Sequence, residues 1–227
     1  MTTHPRAAFG LVALSVAALT LSACTSASSS PSAPSSSNSS SCPTAAPSAA
    51  EAPNVIAGAE RAVVVTSLGT FTIELYPDAA PIATANFVAL ARCGFYDGIS
   101  FHRVLAGFVA QAGDPQTKEN RADFEGLGTG GPGYAFVIEP VADGYNYDPY
   151  VVAMGHSALP DSNSSQFFID LTDLNGSLAR EYTIFGKVIE GTDVVDAIGA
   201  VAVNNPQRGV PLDPVVIQSV TIGSAGS

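Results

Sequence analysis

The stretch Phe101–Gln111, FHRVLAGFVAQ, sets one arginine and one glutamine among large apolar side chains and is followed by AGDP. A half-buried strand alternates apolar and polar residues, and a solvated loop would not carry so many apolar residues. The segment is therefore predicted to be mostly buried. A buried guanidinium or amide is costly unless it is satisfied, so Arg103 and Gln111 need partners from the rest of the chain.

The segments before this stretch predict a hairpin and a helix. Two β-rich runs flank SLGT in RAVVVTSLGTFTIELY, residues 61–76, which is typical of a β-hairpin. In APIATANFVALARCG, Pro81 suits a first helical turn and Gly94 a stop. Apolar residues recur at helical spacing between them, which indicates a helix packed on a sheet: Ala83, Phe87 and Leu90.

The segments after it contain five further apolar runs that predict strands: YAFVIEP, YVVAMG, SQFFIDL, TIFGKVI and PVVIQSVTI. GTDVVDAIGA predicts a second helix, capped by Thr192, with Val194, Val195 and Ile198 facing inward. Many short strands with two helices favour an all-β antiparallel domain, and a closed barrel would remove the exposed edges.

Residues 1–23 are typical of an export signal, with an apolar run too short to span a bilayer. The run ends in LSAC, which resembles the lipobox of bacterial lipoprotein signals. That resemblance implies lipid attachment to Cys24 and anchoring to the outer face of the cell membrane. The alternative is an ordinary signal cleaved near Ala23.

Residues 24–59 are rich in Ser, Pro and Ala, a composition that buries too little apolar surface to fold and predicts a flexible tether. Cys42 and Cys93 remain if Cys24 carries lipid. In an oxidising compartment they either form a disulfide or stay as two free thiols.

The formal charge of −11 excludes a nucleic-acid partner, because nine basic residues do not form a phosphate-binding patch. No metal site or cofactor is predicted. The G-x-G-x-x-G spacing from Gly126 meets Pro132 where a nucleotide-binding helix should open.

Four segments in order resemble the signature of the cyclophilin family of peptidyl-prolyl cis-trans isomerases: SFHRVLAGFVAQAGDP, GTGGPGYAFVIE, NSSQFFI and YTIFGKVIEGTDVVD. The resemblance implies a closed eight-stranded antiparallel β-barrel capped by two α-helices, in a domain set at residues 60–224. It implies an isomerase that accelerates rotation about X-Pro bonds in exported proteins and assists their folding. The alternative is a binding module for proline-containing segments, with little turnover. We expect a monomer.

The resemblance also implies roles for single residues. Arg103 matches the catalytic arginine, and Gln111 matches the residue that holds substrate backbone; the alternatives are a structural ion pair for Arg103 and satisfaction of barrel backbone for Gln111. His102 is interpreted as structural. The remaining matches are to substrate-binding positions: Phe108, Val109, Phe168, Leu178, Tyr182 and Gly155.

Several positions depart from the family pattern, and two of them bear on ligand binding. Tyr182 stands where many members have His, and an aromatic ring with a polar tip still suits a groove. Ser177 or its neighbour stands where eukaryotic members carry a Trp that contacts cyclosporin. We therefore expect weak cyclosporin binding with activity retained.

Overall fold

The computed structural model describes residues 41–119 and 123–224. Three α-helices lie at α1 Ala52–Val55, α2 Pro81–Arg92 and α3 Thr192–Gly199, and a 3-10 helix lies at Pro115–Lys118. The eight strands are β1 Arg61–Thr66, β2 Gly69–Leu75, β3 Arg103–Leu105, β4 Val109–Ala112, β5 Val151–Met154, β6 Phe167–Asp170, β7 Ile184–Glu190 and β8 Ile217–Gly223. The predicted mostly-β class with few helices is confirmed.

All strand pairs are antiparallel, in one curled sheet with the order β3-β4-β6-β5-β7-β2-β1-β8. The predicted closure of the barrel is not shown, because the described residues of the end strands β3 and β8 form no ladder. Instead, the segment just before β3 meets the start of β8. Ser100 bridges Val216, and the Ile217 amide donates to the carbonyl of Ile99 at 2.7 Å.

The alternation of side chains along each strand divides the apolar residues between the two faces of the sheet. On β6, Phe167 and Ile169 enter the main core beneath α2, while Phe168 joins a smaller apolar cluster on the opposite face. Strands β4, β5 and β7 divide in the same way. This smaller cluster forms the base of the site described below.

The helix α2 forms as predicted, with Pro81 in its first turn and Gly94 following it at φ +73°. The carboxylate of Glu139 accepts from the amides of Ile82 and Ala83 at 2.9 and 2.7 Å, satisfying two donors at the helix start. Burial raises the pKa of Glu139, and these two bonds oppose that effect.

Two local predictions are wrong. Thr192 is the first residue of α3 and makes no capping bond; Gly191 precedes it at φ +73°. YAFVIEP forms no strand, because its polar groups bond elsewhere. Phe136 makes only an isolated bridge to Asn163, and the Glu139 amide donates to the Thr183 hydroxyl.

Residues 42–59, which the composition places in the flexible tether, lie against α2. Cys42 and Cys93 form a disulfide and are not free thiols, which decides between the two alternatives that the sequence left open. The Arg92 guanidinium donates to the carbonyls of Val55 and Ala57. Ala59 is buried in the main core, against which Val55 and Ile56 also pack, so covalent, polar and apolar contacts together hold this segment. The predictions for residues 1–40, including Cys24, lie outside the described residues, within which no helix has the length and apolar character needed to cross a bilayer.

Candidate active site

The β3–β4 hairpin brings the two polar residues of the opening stretch side by side. Arg103 pairs with Gln111 across the two strands, and Gly107 allows the turn between them at φ +70°. The Phe108 amide donates to the Leu105 carbonyl at 2.9 Å, which closes that turn. Arg103 and Gln111 therefore project from neighbouring strands on one face of the sheet.

A groove of about 350 Å³ lies on this face, outside the main core. It brings together all eight domain residues that the sequence analysis assigned to catalysis or substrate binding, and adds His156. The lining residues are Arg103, Phe108, Val109, Gln111, Gly155, His156, Phe168, Leu178 and Tyr182.

The base of the groove is apolar and firmly packed. Val109 and Phe168 are only 3% and 5% exposed. Both belong to the smaller apolar cluster, against which the half-buried Phe108 and Leu178 also pack. A cavity of this kind suits a compact apolar ring such as that of proline.

Arg103 is half-buried at the rim, with its guanidinium carbon 6.0 Å from the centre of the Phe108 ring. Burial lowers its pKa, although an arginine stays charged at any physiological pH. Among the described residues, no carboxylate forms a salt bridge with Arg103 and no acceptor binds its side chain. The structural ion pair considered from the sequence is therefore not observed, and the guanidinium is available to a ligand.

Gln111 is held by a second amide, that of Gln166. The Gln111 Nε2 donates to Gln166 Oε1 at 2.9 Å, and Gln166 Nε2 donates to the carbonyls of Gly128 and Gly130, each at 2.8 Å. The side chain of Gln111 therefore bonds another side chain rather than barrel backbone. Its Oε1 has no partner in these contacts.

Tyr182 forms the wall opposite the hairpin. Its ring meets Phe168 edge-on, with centroids 5.4 Å apart, and stacks on the ring of His156 at 4.4 Å. Its backbone is fixed by Tyr147, whose hydroxyl donates to the Tyr182 carbonyl at 2.9 Å and accepts from its amide at 3.0 Å. Tyr182 and His156 thus present one aromatic surface.

A second cavity of about 650 Å³ adjoins the groove at Gln111, Gly155 and His156. A glycine-rich loop forms its far wall. The buried Asp114 carboxylate fixes this loop by accepting from the amides of Gly128 and Gly130 at 2.7 and 3.3 Å. A Cβ at Gly130 would lie 2.0 Å from Asp114 Oδ1, so this position requires glycine.

Sequence reasoning did not assign Gln166 or Asp114 to the site. A signal was present for Gln166, which lies in the predicted strand SQFFIDL, since buried polar residues need partners. Asp114 lies three residues beyond the stretch that was predicted to be buried. What the sequence could not supply was the partner in space. The described residues contain no cluster of His, Cys, Asp and Glu that could hold a metal ion.

Residues 61–222 match the family model for cyclophilin type peptidyl-prolyl cis-trans isomerases. The chain belongs to the cyclophilin family. Peptidyl-prolyl cis-trans isomerase A of Mycobacterium tuberculosis is 40% identical over 178 residues, covering 71% of this chain and 91% of that protein. The peptidyl-prolyl cis-trans isomerase of Helicobacter pylori is 41% identical over 139 residues, covering 60% and 78%.

Solved structures agree with these relatives. A cyclophilin type isomerase of Cryptosporidium parvum superposes with a TM-score of 0.64 at 30% identity, covering 73% of this chain and 98% of its own. A second structure of that protein, determined in the presence of the dipeptide Ala-Pro, gives 0.63 at 31% identity and covers 72% and 99%. The chain whose groove is described above is therefore a peptidyl-prolyl cis-trans isomerase.

Proposed function

We propose that this isomerase acts on polypeptides outside the cytoplasmic membrane, with Arg103 as the catalytic donor and Gln111 as the residue that holds the substrate backbone. The observation that carries the assignment is the half-buried guanidinium of Arg103, which lies at the rim of an apolar groove and has no ion-pair partner among the described residues. The proline ring would occupy the base formed by Phe108, Val109 and Phe168, beside Leu178 and Tyr182.

The chemistry requires a donor at one place only. Rotation about an X-Pro bond meets a barrier of roughly 18–20 kcal/mol because the twisted amide loses resonance. In the twisted state the prolyl nitrogen regains its lone pair. A guanidinium N–H held near that nitrogen stabilises the twisted state more than the planar one, which is the condition for catalysis.

The apolar base supplies a second contribution. One charged hydrogen bond contributes about 1.5–3 kcal/mol, which accelerates the reaction by at most about a hundredfold. Twisting also reduces the charge separation of the amide, so a water-poor groove disfavours the planar state relative to the twisted one. Gln111, held by Gln166, would fix the backbone on one side of the bond while the other side rotates.

The export part of the proposal rests on two observations. Residues 1–23 have the pattern of a signal ending at a lipobox, so lipid would be attached to Cys24. Cys42 and Cys93 are paired, and disulfides persist in exported proteins but are rare in a reducing cytosol. We propose a monomer tethered to the cell envelope.

The catalytic assignment is tested by isomerisation of a proline tetrapeptide with the full-length chain and its Arg103→Ala variant. We expect acceleration by the wild type and a loss of at least about tenfold in the variant, with the circular dichroism spectrum unchanged. A variant as active as the wild type would remove Arg103 from the mechanism.

The anchor is tested separately, by metabolic labelling with an alkyne fatty acid in cells that express the chain. We expect label on the wild type and none on Cys24→Ala. Equal labelling of both, or of neither, would contradict lipidation at Cys24.

A further inference from the structure

A third depression, of about 260 Å³, adjoins the proline groove at Arg103 and Gln111, which line both. Leu127 and Gly128 of the glycine-rich loop form one wall. The opposite wall comes from Gln207 and Arg208, in the loop that precedes β8, and His102 also lines the depression. Neither Gln207 nor Arg208 lines the proline groove or the second cavity.

His102 carries polar atoms that the protein leaves unused. Its side chain is buried, with the residue 5% exposed, and neither ring nitrogen has a hydrogen-bond partner among the described residues. Burial lowers its pKa to about 4, with the Asp114 charge opposing and the Arg103 charge adding to the effect. The neutral ring offers one N–H donor and one acceptor. A buried donor or acceptor that forms no hydrogen bond destabilises the folded state.

Gly128 of the glycine-rich loop lies directly against this ring. A Cβ at Gly128 would lie only 3.5 Å from His102 Nε2. The backbone of the glycine-rich loop therefore covers Nε2, and the ring lines the depression through its carbon atoms.

The loop that carries Arg208 is pre-organised. Asn205 Oδ1 accepts from the amides of Gln207 and Arg208 at 2.8 and 3.1 Å, and the Val104 amide donates to the Gly209 carbonyl at 2.7 Å. Gly209 is required at this contact, since a Cβ there would lie 2.5 Å from the Val104 carbonyl oxygen. The loop is thus docked on β3, beside Arg103.

The charges around the depression favour an anion. Asp123 pairs with Arg208 at 2.5 Å, but a guanidinium has five N–H donors and a single carboxylate cannot use them all. None of the described residues lining the groove and its two adjoining cavities carries a carboxylate. The lining of the depression carries two guanidinium groups, those of Arg103 and Arg208, while the carboxylates of Asp123 and Asp114 lie just outside it, beside Arg208 and His102.

We propose that this depression is a subsite for an acidic side chain of the substrate, located after the proline and bound by Arg208 beside the His102 ring. The proposal rests on the isomerase function and on a peptide direction in which the residues before proline occupy the glycine-lined cavity. From that cavity the chain crosses the groove past Arg103 and enters the depression. A proline followed by Glu or Asp is therefore the preferred sequence.

The test compares proline peptides that differ only in the residue after proline, Glu, Gln or Lys, with kcat/KM measured by exchange NMR on the full-length chain. We expect Glu to exceed Gln by about fivefold at low ionic strength, and the ratio to shrink in about 0.5 M salt. Arg208→Gln should bring the ratio close to one. Arg61→Gln is the matched control, because Arg61 also pairs with one carboxylate, that of Glu190 at 3.6 Å, away from the site.

A second readout follows the imidazole resonances of the three histidines in the chain. The Glu peptide should shift those of His102 more than the Gln peptide does. Equal rates for Glu and Gln, a preference that survives Arg208→Gln, or a preference for Glu before proline would overturn the proposal. Absence of turnover on every peptide would instead overturn the proposed function.

Discussion

The amide of Gln111 donates to the amide oxygen of Gln166 at 2.9 Å, and through it the β3–β4 hairpin is joined to the glycine-rich loop. Gln166 lines the second cavity but not the proline groove. Through its hydrogen bond to Gln111, it is a positioning residue for that side chain.

Gln166→Leu should lower kcat/KM by about two- to tenfold, the effect of one neutral hydrogen bond. Because the planar substrate also uses Gln111, KM should rise as well as kcat fall. Gln116→Leu is the control, since Gln116 lines the same cavity without bonding Gln111. The two variants losing activity equally would show a general effect of the cavity and contradict the positioning role.

Asp170 predicts an unusual dependence of stability on pH. It is fully buried, with no partner for either carboxylate oxygen among the described residues, and burial followed by the Asp148 charge raises its pKa to about 8. The unfolded chain releases this proton near pH 4 and the folded chain near pH 8, so the folded state binds more protons between these values. The free energy of unfolding should therefore fall with rising pH in this window, by up to about 1.4 kcal/mol per unit.

Asp170→Asn removes this titration. The free energy of unfolding in urea should be measured for variant and wild type at pH 5 and pH 8. Relative to the wild type, the variant should be more stable at pH 8 than it is at pH 5. Asp143→Asn, at an exposed position, should show no such shift. A difference for Asp170→Asn that is the same at both values would mean that the carboxyl titrates normally.

The Cys42–Cys93 disulfide should contribute to stability by closing a chain segment with a sequence separation of 51. Its loss should reduce the free energy of unfolding by about 2–4 kcal/mol, through greater freedom of the unfolded chain. Isomerase activity should persist, because neither cysteine lines the groove. Unfolding curves with and without dithiothreitol measure the effect, and the Cys42→Ser, Cys93→Ser double variant should not respond to the reductant. If dithiothreitol also left the unfolding curve of the wild type unchanged, the prediction would be contradicted.

Cyclosporin should bind weakly, since Ser177 lies next to the groove residue Leu178 and offers no indole to the ligand. Ser177→Trp should tighten binding by about tenfold, by adding apolar area and one donor. Isothermal titration calorimetry provides the measurement, and Ser177→Leu separates the donor from the apolar area. If the wild type already binds as tightly as the Trp variant, position 177 does not decide affinity.

The sequence predicted the β1–β2 hairpin and both longer helices, because strand and helix periodicity report local structure directly. The eight domain residues that line the groove were named by the resemblance of ordered motifs to a family. Prediction from the sequence failed for features that depend on contacts between residues far apart in the chain. YAFVIEP has the apolar content of a strand, yet its Glu139 is used to satisfy the start of α2. The closure of the sheet and the bond between Gln111 and Gln166 depend on segments far apart in the chain, which no local pattern encodes.

The attachment of Cys42 to the end of α2 also determines how the domain bears mechanical load. Tension applied through the residues before Cys42 passes through the disulfide into Cys93, bypassing residues 43–92. Strand β1, which lies within that loop and pairs with both β2 and β8, is then not pulled from its end.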